Sequence, residues 1–236
     1  DALYSNKQLG MSEEGNNLVF RVFVPRAMKV MLCLFQKANP ETPYKEVEMT
    51  KDGNAVWETS LPKAGMYGQL YGYRIFGPET KGGHFNSKLV VADPYSKATA
   101  QNNVFPQKSR TVILPPDITT RFPWRSRKWT NLKYRDAMIY EVHVRDMTMH
   151  PTSLVPNNLK GTYLGFINKL AHIKGTVGCN AIELLPIHEV GNVEPPYQQS
   201  ALMPNEQWIK NTWNPYSWNH WGYMTSNFFA VDSMYA

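Results

Sequence analysis

The sequence predicts two architectures in tandem: a β-sandwich over residues 1–100 and an α/β unit from about residue 131. Three observations carry this. Short alternating apolar runs separated by turn clusters fill the first hundred residues, with no helical period between them. Beyond residue 131 the pattern becomes strand, helix, strand. Between the two, residues 101–130 have no period and contain Pro106, Pro115, Pro116 and Pro123, as expected of a linker lying against the next domain.

Within the first part, residues 18–24 (LVFRVFV), 29–35 (KVMLCLF), 55–59 (AVWET) and 69–75 (QLYGYRI) read as strands. The clusters at 51–54 (KDGN) and 62–65 (PKAG) supply turns, and strands at this spacing point to two packed sheets. Trp57 and Tyr73 on these strands have two readings, a sugar platform or core packing, and the core is favoured because sandwich strands bury such rings as a matter of course. In the second part, residues 137–144 (AMIYEVHV) form a strand. Phe166, Ile167, Leu170 and Ile173 recur at helical spacing, and residues 179–187 (CNAIELLPI) form a nearly continuous apolar strand. Such a βαβ unit implies a parallel pair. Alternation places Glu141 and His143 on one face of the first strand, with Val142 and Val144 opposite.

Hydrophobic residues at 42% and charged residues at 19% describe a globular chain of 236 residues. The excess is aromatic, with 7 Trp, 13 Tyr and 10 Phe beside 17 Pro. The net charge of +6 comes from scattered Lys and Arg; the densest run, Arg121 to Lys128, is broken by Phe122, Pro123 and Trp124. That argues against nucleic acid, whose binding needs a basic face or stripe. No apolar run approaches the roughly 20 residues that span a bilayer. The two cysteines, Cys33 and Cys179, sit in apolar runs and read as buried free thiols. The chain opens Asp1-Ala2-Leu3-Tyr4, as expected of a trimmed piece, and its compartment is not legible.

The most telling segment is residues 219–229 (NHWGYMTSNFF), continuing to Asp232 and Tyr235. It combines aromatic rings, small polar groups and a glycine in a stretch too polar for a core strand. Flat faces for the C–H side of a pyranose, with donors and acceptors nearby for its hydroxyls, are what a sugar site requires. Residues 195–218, with Trp208, Trp213, Tyr216 and Trp218 among polar neighbours, are too long for a passive connection. They read as a lid or subsite wall, or as packing against a neighbouring domain.

Four segments in order give the chain a resemblance to the amino-terminal part of α-amylase-superfamily debranching enzymes, the isoamylases and type I pullulanases. They are residues 85–95 (FNSKLVVADPY), 139–146 (IYEVHVRD), 181–189 (AIELLPIHE) and 221–229 (WGYMTSNFF), the last nearer to the isoamylase wording. The resemblance implies an immunoglobulin-like sandwich carrying a carbohydrate-binding module over 1–100, a linker over 101–130, and the first strands of an incomplete (β/α)₈ TIM barrel over 131–236. It implies an α-1,6-glucosidase acting on pullulan, glycogen or amylopectin by retaining hydrolysis. The family's acids come from later strands, so no catalytic residue is assigned here and the chain alone is expected to be inactive. Two alternatives stand beside this: a non-catalytic α-glucan-binding or scaffold protein, and an α-1,4-acting or branching relative. An unfinished barrel exposes apolar sheet edges. The expected partners are therefore an α-glucan and either the remaining barrel as a companion chain or a second copy.

By match to the family, Tyr223 stacks under the glucose at the cleavage point, and Trp221 lies in the neighbouring slot. His188, at the exit of the second strand, and Trp218 complete the candidate substrate contacts. Arg145 and Asp146 are candidates for tying active-site loops together. In the isoamylase pattern, the positions of Glu189, Asn192 and Asp232 supply oxygen ligands to a structural calcium ion. The chain departs from that pattern at Asn102, where an aspartate is expected, losing one charge. The competing reading is exposed loop carboxylates holding no metal. No organic cofactor is implied.

Overall fold

The computed structural model describes residues 3–38, 42–78, 85–101, 109–118, 123, 131–190 and 220–236. Ten strands build the first part: β1 (Gly10–Glu14), β2 (Asn17–Phe23), β3 (Lys29–Phe35), β4 (Lys45–Glu48), β5 (Thr50–Lys51), β6 (Val56–Pro62), β7 (Leu70–Phe76), β8 (Val90–Val91), β9 (Thr99–Gln101) and β10 (Ser109–Val112). One sheet runs β1-β2-β6-β5 and the other β4-β3-β7-β10-β9, with β8 on β7, all antiparallel. The register follows from the sequence period. Leu18, Phe20 and Val22 on β2 meet Val30, Leu32 and Leu34 on β3 and Tyr71 and Tyr73 on β7 in one buried cluster. Arg21, on the opposite face of β2, pairs with Glu14 and Glu58 across the sheet surface.

Trp57 and Tyr73 are core residues, 5% and 0% exposed, and the Trp57 indole N–H donates to the Val24 carbonyl at 3.0 Å. This settles their two readings in favour of packing. Strand β10 falls inside the stretch expected as linker. Thr111 and Val112 pair with Tyr71 and Leu70, so the sandwich sheet extends past residue 101.

A buried carboxylate closes this sheet from one end. Asp93 Oδ2 accepts from the hydroxyls of Tyr71 (2.7 Å) and Tyr73 (3.0 Å), while the Asp93 N–H donates to Thr111 Oγ1 at 2.9 Å. Burial raises the Asp93 carboxyl above its ordinary range, although these donors favour the ionised form.

The second part begins with β11 (Ile139–Val142), parallel to β12 (Ala181–Leu184) in register Ile139↔Ala181 to Val142↔Leu184. The crossover carries α1 (Asp146–Met149), α2 (Tyr163–Ile167) and α3 (Leu170–His172), followed by a π-type turn (Ile173–Val177). Thr162 caps α2, its hydroxyl accepting from the Gly165 N–H at 3.1 Å. Val142, Val144, Phe166, Ile173 and Tyr235 form the core beneath. β13 (His188–Val190) and β14 (Thr225–Val231) make an antiparallel pair.

Two expectations are corrected here. β11 stops at Val142, so His143 escapes strand alternation: it is buried while Glu141 is exposed, and Val142 and Val144 are both buried. The second strand is not fully buried, since Ile182 is 38% exposed and its partner strand leaves Ile139 52% exposed. Cys33 is buried as expected, whereas Cys179 is only half-buried; both are free thiols.

Candidate functional site

Trp221 and Tyr223 project from the segment entering β14, at 56% and 57% exposure. Gly222 between them is buried and has φ of +75°. A methyl group there would come within 2.6 Å of the Pro186 carbonyl oxygen, so the segment presses its backbone onto the exit of β12. Only glycine meets both demands. Gly222→Ala is expected to destabilise the protein by about 1–2 kcal/mol, seen as a lowered melting temperature, because strain and clash add. An unchanged melt would contradict the contact with Pro186.

His220, at the start of this segment, reaches back to the first strand's exit. Its Nε2 lies 3.1 Å from Asp146 Oδ1, and its ring stacks on His143 at 4.7 Å between centroids. Asp146 thus joins two loops 74 residues apart in sequence. A cleft of about 490 Å³ opens beside them, lined by Tyr140, Glu141, His143, Asp146, Leu185 and Trp221. His143 is held by Tyr235, whose hydroxyl is 3.1 Å from His143 Nε2, and burial lowers its pKa. His188 is exposed at the start of β13, tilted against the Phe228 ring at 6.4 Å. Trp218 and Asn192 lie outside the described residues, as do Asn102 and residues 195–218.

Glu189 and Asp232 are brought together and buried, at 0% and 1% exposure. β13 and β14 do this directly: Glu189 pairs with Asn227, and the Asp232 N–H donates to the Ile187 carbonyl at 2.8 Å. Asp232 Oδ1 caps the last helical turn by accepting from the Met234 N–H at 2.8 Å. Among the described residues, neither Glu189 oxygen nor Asp232 Oδ2 has a hydrogen bond of normal geometry, although the Ser233 backbone N–H faces the Glu189 carboxylate. The Thr99 hydroxyl faces the Glu189 carboxylate without closing a bond of normal geometry. Burial first, then the charge of Asp232, pushes Glu189 up to about 7; burial likewise raises Asp232. Two buried carboxylates with three oxygens lacking a normal hydrogen bond among the described residues fit a hard cation, which takes six to eight oxygens. These are not exposed loop carboxylates. Thr99 went unnoticed in the sequence because it belongs to the sandwich, some ninety residues before Glu189.

The two parts touch directly. Tyr95 stacks on Phe229 at 5.6 Å with planes 7° apart, beside a cavity of about 440 Å³ lined by residues of both parts, including Met11, Tyr71, Thr111 and Phe229.

The fold is thus a two-sheet sandwich joined through the Tyr95–Phe229 stack to a segment that carries an exposed aromatic shelf. More particularly, residues 8–96 match the family of carbohydrate-binding module 48, the isoamylase N-terminal domain. The chain as a whole is similar to the amino-terminal portion of isoamylase- and pullulanase-type debranching enzymes. It is 30% identical to a chloroplastic isoamylase of Zea mays over 97% of this chain and 28% of that protein. It is 27% identical to an isoamylase of Pseudomonas amyloderamosa over 100% of this chain and 34% of that one. Among solved structures, a pullulanase from Paenibacillus barengoltzii in complex with maltohexaose and α-cyclodextrin superposes with a TM-score of 0.70. The identity there is 25%, covering 100% of this chain and 33% of the other. The chain therefore spans about a third of the length of the relatives it matches.

Proposed function

We propose that this chain is the glucan-binding portion of an α-1,6-glucan debranching hydrolase, contributing a starch-binding sandwich and the first two strands of a (β/α)₈ barrel. The observation that supports this best is the Trp221/Tyr223 shelf, held outward by Gly222 at the exit of the parallel strands. In such barrels the active site gathers at the carboxyl ends of the strands, where His143, Asp146 and His188 also stand. Tyr223 offers a face to one glucose ring, positioning it and meeting the positive charge that builds at its anomeric carbon. Asp146 and His220 fix that shelf against the first strand.

Retaining hydrolysis needs two carboxyls about 5 Å apart on either side of the glycosidic bond. The resemblance implies that those acids come from later strands, so this chain by itself is expected to bind without cutting. Glu189 and Asp232, with Asn192 as a further candidate, hold a structural calcium ion. When bound, calcium neutralises the two carboxylates and stiffens the β13–β14 pair on which the shelf is mounted.

The test uses the chain alone, with maltohexaose titrated calorimetrically and pullulan as substrate. Binding without release of reducing ends is the expected result. Turnover of pullulan would overturn the assignment of the acids, and no binding would overturn the shelf.

The partner follows from the exposed apolar surface. Ile139 and Ile182 on the parallel pair, with Leu164 (63%) and Ile167 (56%) on α2, stay in water among the described residues. We expect the isolated chain to self-associate or to take up the rest of the barrel as a companion. Light scattering coupled to size exclusion checks this; a stable monomer over a hundredfold concentration range contradicts it.

A further inference from the structure

We propose that His143, Asp146 and His220 form a zinc-type transition-metal site at the mouth of the cleft, separate from the calcium pocket. Asp146 Oδ1 lies 3.6 Å from His143 Nδ1 and 3.1 Å from His220 Nε2. One ligand atom from each residue can be chosen so that all three lie within 4.8 Å of one another. Zinc bonds of about 2.0–2.1 Å at tetrahedral angles separate neighbouring ligand atoms by roughly 3.3 Å. Two of the distances are already near that value, and closing the third requires the half-exposed His220 ring to turn out of its stack on His143 so that both rings point edge-on at the ion.

The surroundings of His143 favour the required tautomer. Its Nε2 faces the Tyr235 hydroxyl at 3.1 Å, and Tyr235 is itself buried. A proton on Nε2 donated to that oxygen leaves the lone pair on Nδ1, on the side of Asp146 and His220. Partnering of the distal ring nitrogen is how metal-bound histidines are oriented. The opposing contact is long: Nδ1 accepts the Asp146 N–H at 3.3 Å, and the His220 backbone also stands within hydrogen-bonding reach of the ring. A metal would replace that long bond with a coordinate one.

Two imidazoles and one carboxylate select the borderline-soft divalent ions, zinc above all, over calcium or magnesium. His220 and Asp146 are both about half exposed, so an ion can enter from solvent. The cleft leaves the fourth position for water or a sugar hydroxyl. Zinc would thereby lock the start of the aromatic segment to the exit of β11.

The experiment is a calorimetric titration of tag-free full chain with Zn²⁺, repeated with Co²⁺ while recording visible absorption. One equivalent of Zn²⁺ is expected, with the intense Co²⁺ bands of a four-coordinate site. His220→Ala should weaken this binding at least about a hundredfold, and Tyr235→Phe about tenfold through loss of the orienting hydroxyl. His220→Cys, which restores a ligand, should recover tight binding and so excludes loss of folding as the cause. Glu189→Gln should leave it unchanged, which separates the two metal sites. Equal zinc affinity in His220→Ala and the parent would overturn the proposal, as would competition by calcium at equal concentration.

Discussion

Glu189→Gln is expected to abolish the response of the protein to calcium while making the calcium-free form more stable above pH 7. The carboxylate is buried with no hydrogen bond of normal geometry among the described residues, and Asp232 adds a second buried charge. Its pKa, pushed up to about 7 from an ordinary 4.5, means that the folded chain holds a proton that the unfolded chain has released between those values. Stability without calcium therefore falls as pH rises from about 4.5 to about 7 and stays low above that. The span corresponds to a loss on the order of 3 kcal/mol. The proposed calcium ion should reverse the trend because it would bind only the ionised pair; at a hundred times its dissociation constant it would return about 2.7 kcal/mol. Thermal melts between pH 4.5 and 8, with chelator and with calcium, check both limbs. In chelator the parent should lose stability across that range and the glutamine variant should lose much less. Identical melts with and without calcium at pH 8 would refute the pocket.

Tyr223→Ala is expected to weaken maltohexaose binding by about thirtyfold, and Tyr223→Phe to leave it nearly unchanged. The ring is 57% exposed, so covering it with sugar removes on the order of 80 Å² of apolar surface from water. At about 25 cal/mol per Å² that gives about 2 kcal/mol, the thirtyfold stated. Because the flat face does the binding, the hydroxyl contributes little. In a complete debranching enzyme the same substitution should lower kcat as well as affinity, since the ring also meets charge developing in the transition state. Calorimetry on both variants separates the ring from its hydroxyl. Equal losses in the two would assign the effect to the hydroxyl instead.

What the sequence disclosed tracks the range of the physics involved. Strand β3 runs over Lys29–Phe35 as its short apolar run predicts, and the parallel pairing of β11 with β12 follows from the strand–helix–strand pattern. Strand β1 escaped notice because its residues, Gly10–Glu14, are mostly polar and lie at a sheet edge, where no apolar period is imposed. Strand β10 escaped because its four residues are surrounded by the prolines that suggested a linker. His143 was placed by strand alternation that ends one residue earlier. The partnership of Asp146 with His220, and that of Thr99 with Glu189, are tertiary and have no local signature. Glu189 and Asp232 were legible only through the family wording, but their shared burial needed the register of β13 on β14.

The Tyr95–Phe229 stack and the approach of Thr99 to Glu189 have a practical bearing on grafting. A sandwich exchanged for that of a relative, with the splice placed near residue 100, would replace the hydroxyl over a buried acid and one ring of the joint at once. Chimeras that keep Tyr95 and Thr99 should tolerate exchange; those that discard them should become more sensitive to rising pH, because the Glu189 carboxylate loses a hydroxyl that favours its ionised form, though every residue after the splice is retained. The module is a wall of its neighbour's foundations, not a detachable handle.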